Sequence, residues 1–110
     1  MKYTKTASGG GVEILAADWH VSLPKKIVGS GVVKAGSPIT EAGGVGTAAT
    51  AVGVLLYDVN VDENPNAAIV VKGVIDAKKA KAHSGIDLAG ITDSVPGIVL
   101  RTDTGVQAED

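Results

Sequence analysis

Cysteine and phenylalanine are missing from this 110-residue chain, and the only aromatic side chains are one tryptophan and two tyrosines. Without cysteine there can be no disulfide framework, no thiolate zinc site and no thiol nucleophile. With so few rings, a core must be assembled from valine, isoleucine, leucine and alanine. Each of these offers few methylenes, at about 0.8 kcal/mol apiece, to set against chain entropy. Net charge is also small, ten basic against twelve acidic residues. That balance lacks the long-range attraction on which binders of nucleic acid or anionic membrane rely. Long hydrophobic runs are absent too: Val52 to Tyr57 is the longest, far short of the roughly 20 residues of a membrane span.

What is there points to a small β-rich domain in need of company. Apolar residues make up 45% of the chain, but fifteen glycines raise the entropy cost of ordering it. A chain this short hides only about two-thirds of its unfolded surface. Self-association would make good the shortfall, so an oligomer is expected. Met1-Lys2-Tyr3-Thr4-Lys5-Thr6 has none of the apolar stretch of a secretory signal, and synthesis in a cytoplasm is expected.

Residues 1–15 read as a flexible N-terminal arm, polar and carrying Gly9-Gly10-Gly11, followed by a single domain over 16–110. Val12 to Ala16 could form a short strand once a pairing edge is available. Val21 to Leu23 is a second candidate, stopped by Pro24. Ile27-Val28 and Val32-Val33 flank Gly29-Ser30-Gly31 and predict a hairpin. Ala35-Gly36-Ser37-Pro38 predicts a turn, with Ile39 opening an edge segment. Ala51 to Val59 is apolar on both parities and predicts a strand buried on two faces. Asn64-Pro65-Asn66 is a turn, and Ala67 to Ile75 is a second apolar strand beside the first. Asp76 to Ala82 has a capping aspartate, helix formers and late lysines, with Gly85 placed to end it, so one short helix is expected. Ile91, Val95 and Ile98 to Leu100 form a last, irregular apolar segment.

Chemistry has little foothold. Asp58-x-Asn60-x-Asp62-x-Asn64 starts like an EF-hand loop but has Glu63 where glycine belongs and Ile69 where glutamate belongs. His20 and His83 lack the spacing of a zinc site. Ser84, His83 and Asp87 are too close in sequence to converge as a hydrolytic triad. Gly43-Gly44-Val45-Gly46-Thr47 lacks the lysine of a phosphate loop. Lys78, Lys79 and Lys81 read as a solvated helix face. Trp19 and Tyr57 read as core or interface anchors. No catalytic, cofactor-binding or metal residue is assigned, and the chain is expected not to be an enzyme.

Three segments together carry a resemblance: Val32-Val33-Lys34-Ala35-Gly36-Ser37-Pro38-Ile39, then Ala51 to Val59, then Ala68 to Ile75. In this order and spacing they resemble the head decoration (capsid cement) proteins of tailed bacteriophages, of the lambda type, and the base modules of head-fibre proteins. The likeness spans residues 30 to 82, with Ser37 where threonine is commoner. It implies a mainly β, clip-like fold with one short helix and much irregular chain. It also implies a homotrimer on the outside of the expanded head, at threefold and quasi-threefold axes, with the phage major capsid protein as partner and neither nucleic acid nor membrane involved. On that reading Val12, Glu13, Ile14 and Leu15, at the end of the arm, bind the capsid by strand addition. The alternative is a small-molecule-binding module or a small bacterial enzyme subunit with a similar β-fold.

Overall fold

The computed structural model describes residues 14–101, and they form a mainly β molecule. In chain order the elements are β1 (Leu15–Lys26), β2 (Val32–Val33), β3 (Pro38–Thr40), β4 (Ala51–Leu55), β5 (Val59–Asn60), β6 (Asn66–Asp76), α1 (Ala77–Ser84), α2 (Ile91–Ser94) and β7 (Ile98–Arg101).

The long strand β6 organises everything. One of its edges takes β1, antiparallel, from Lys26 opposite Asn66 to Leu15 opposite Ile75. Its other edge is shared. Near Ile69 and Val70 it pairs antiparallel with β4, and from Gly73 to Asp76 it pairs parallel with β7. β3 completes the main sheet beyond β4, while β2 and β5 make a separate two-stranded sheet. Residues directly opposite in a ladder share a face, and a register shift between Val70 and Lys72 breaks the alternation along β6. Val54 and Val70 point into one cluster with Ile14, Ile75, Leu88, Ile91 and Ile98. Leu55 and Ile69 point the other way, into a smaller cluster with Ile27, Val33, Ile39 and Val59.

The helix follows its sequence signals. The Asp76 carboxylate accepts from the Lys79 amide at 3.1 Å and caps α1, a contact worth about 1 kcal/mol. At the other end Gly85 takes a left-handed φ of 82° and its N–H reaches Lys81 O. A second helical segment, the four-residue α2, was not expected; it is a single turn whose Ile91 fills the larger cluster.

Several expectations need correction. β1 runs unbroken through Pro24, which is tolerated because among the described residues β1 is an edge strand with no second ladder there. The hairpin across Gly29-Ser30-Gly31 does not form. Ile27 is buried in the smaller cluster with its N–H on Pro65 O, and Val32-Val33 pair instead with Val59-Asn60. The strand expected over Ala51 to Val59 ends at Leu55 and resumes as β5, because Asp58 turns back to bind Ala35. Finally, the arm cannot extend to residue 15. Ile14 is fully buried, its carbonyl accepts from the Asp76 N–H at 2.7 Å, and Leu15 opens β1.

Candidate functional site

Two features stand out, one polar and one apolar. The polar one joins two loops to α1. Asp58 Oδ1 accepts from the Ala35 N–H at 2.8 Å and lies 2.7 Å from His83 Nε2 on α1. Both side chains are mostly shielded. Burial pushes the Asp58 carboxyl up, but the Ala35 N–H, the hydrogen bond and charge of His83, and Lys34 outweigh it and hold the group below its ordinary value. The Ala35 turn is fixed from its other side as well. Gly36 N–H donates to Leu55 O at 2.8 Å, and Leu55 N–H donates to Ser37 O at 2.9 Å. An aspartate so engaged is a structural tie, and among the described residues no free nucleophile is hydrogen-bonded to it. Ser84 Oγ is spent on Ala80 O at 2.7 Å, and Asp87 accepts from the Ala89 N–H and faces Lys81.

The other sequence candidates behave as turn residues. Asn60 Oδ1 accepts from the Asp62 N–H, Asn64 Oδ1 from the Asn66 N–H, and Asp62 Oδ2 from the Gly31 N–H. No group of three or more His, Cys, Asp or Glu converges among the described residues. His20 lies on β1 opposite Gly73. Lys78, Lys79 and Lys81 lie exposed on α1. Of the residues expected to bind a capsid, Val12 and Glu13 lie outside the described residues, while Ile14 and Leu15 belong to the folded domain.

The apolar feature was not legible beforehand. On β1, Trp19, Val21 and Leu23 recur at two-residue spacing and are 55%, 47% and 50% exposed. Val21 is opposite Lys72 on β6, and Val74, two residues on, is opposite Val99 of β7, which is 53% exposed. Register therefore puts Val21, Lys72, Val74 and Val99 on one face, crossing three strands. The reverse face at this level carries Gly73, Ile75 and Ile98, all buried. Leu23, opposite the buried Ile69, links the exposed area to the smaller cluster. That cluster, completed by Val33 of β2 and Val59 of β5, lies on this same side of the sheet but covers only part of it. The β1–β6–β7 part is left uncovered among the described residues. Contiguous exposed apolar patches larger than a few hundred Å² mark contact surfaces. Covering each half-exposed chain would gain about 1 kcal/mol.

The three segments that carry the phage resemblance meet in this fold. Pro38 pairs with Val54, Val54 with Val70, and Val33 with Val59. Comparison with protein-family models, with curated proteins and with solved structures gave no match.

Proposed function

We propose that this chain is a capsid decoration protein, a homotrimer that seats on the outer surface of an expanded phage head and stabilises it. The observation that carries the proposal is the uncovered apolar face of β1, β6 and β7 on a domain whose polar groups are absorbed by turns and by the Asp58 tie. Such a surface suits association better than catalysis. The pairing of the three resembling segments with one another, across the main sheet and the two-stranded one, supports the same reading.

Cementing needs only binding energy. A single contact of about 4 kcal/mol holds a partner at millimolar concentration. Joining such contacts in one rigid oligomer raises the affinity by about 10² to 10⁴ for a linked pair. A decorating species present at 100 times its dissociation constant stabilises each site by about 2.7 kcal/mol over any lattice state it does not bind. Repeated across a shell, that resists the pressure of packaged DNA. Residues 1–13 are the proposed capsid-binding segment, entering the fold at Ile14.

Co-sedimentation with purified phage shells is the test. The protein should pellet with expanded shells and stay in the supernatant with immature ones. Removing residues 1–13 should abolish pelleting while leaving the circular dichroism unchanged. Equal recovery with both shell forms, or with neither, would contradict the proposal.

A further inference from the structure

We draw no further inference here: the strongest candidate, the apolar surface patch that Val21, Val74 and Val99 form across β1, β6 and β7, carries nothing because nothing in the structure shows what covers it.

Discussion

Replacing Gly36 with alanine should destabilise the domain by about 2–5 kcal/mol. Two costs combine. Gly36 has φ at 93°, where a side chain adds about 1–2 kcal/mol of strain. A Cβ there would also lie 2.9 Å from Ala80 O and 3.0 Å from Ala80 Cα and Cβ, against a helix that is fully buried at this point. Forcing that contact apart adds about 1–3 kcal/mol. Gly85 separates the two effects. Its φ is 82°, but a Cβ there meets nothing within 4 Å, so Gly85→Ala should lose only the strain, about 1–2 kcal/mol. Denaturant titration of both variants measures the difference. Equal losses would mean that the approach of α1 to the Ala35-Gly36 turn is not a tight one.

Asp58→Ala is the second large effect, expected at about 2–4 kcal/mol near neutral pH. The substitution leaves the Ala35 N–H and the His83 ring nitrogen without their acceptor, and each hydrogen bond to a charged group is worth about 1.5–3 kcal/mol. Its pH dependence has a definite sign. The folded carboxyl titrates below its ordinary value, because the Ala35 N–H, His83 and Lys34 together overcome the opposing effect of burial. The stability it contributes is thus fully present above the unfolded value of about 3.9 and is lost as pH falls through the lower folded value. The gap between wild type and Asp58→Ala should narrow as pH falls below about 4. Thermal melts over that range measure it. A gap that widens as pH falls below about 4 would contradict the assigned role of Asp58.

Both variants lie where sequence reading succeeded only in part. Local signals were reliable. The aspartate before Ala77 and the glycine after Ser84 bounded α1 to within a residue or two, because capping depends on groups a few positions apart. Adjacent apolar runs likewise located β4 and β6. Long-range choices were not legible. Val32-Val33 had a near neighbour in Ile27-Val28 and paired with Val59-Asn60 instead, since Ile27 gains more in the smaller cluster. The parallel ladder of β7 on β6 has no local signature, because parallel strands are joined through long crossovers.

The candidate surface was hidden for a related reason. Val70, Val71, Val74 and Ile75 read as a strand apolar on both faces, and such a pattern does not say what covers the second face. Among the described residues, the chain covers part of that face and leaves the part bearing Val21, Val74 and Val99. Trp19 and Tyr57, read as core or interface anchors, are 55% and 54% exposed and so lie outside the core. Ile14 was assigned to the arm because a polar, glycine-rich stretch precedes it. The structure gives it instead a fully buried place in the larger cluster.

The most direct test of the central claim, that this domain completes its apolar packing by joining copies of itself, is its mass in solution. Sedimentation equilibrium of the purified chain at micromolar concentration should return three copies of the 11.0 kDa subunit. A single stable 11.0 kDa species over the same concentration range would contradict it.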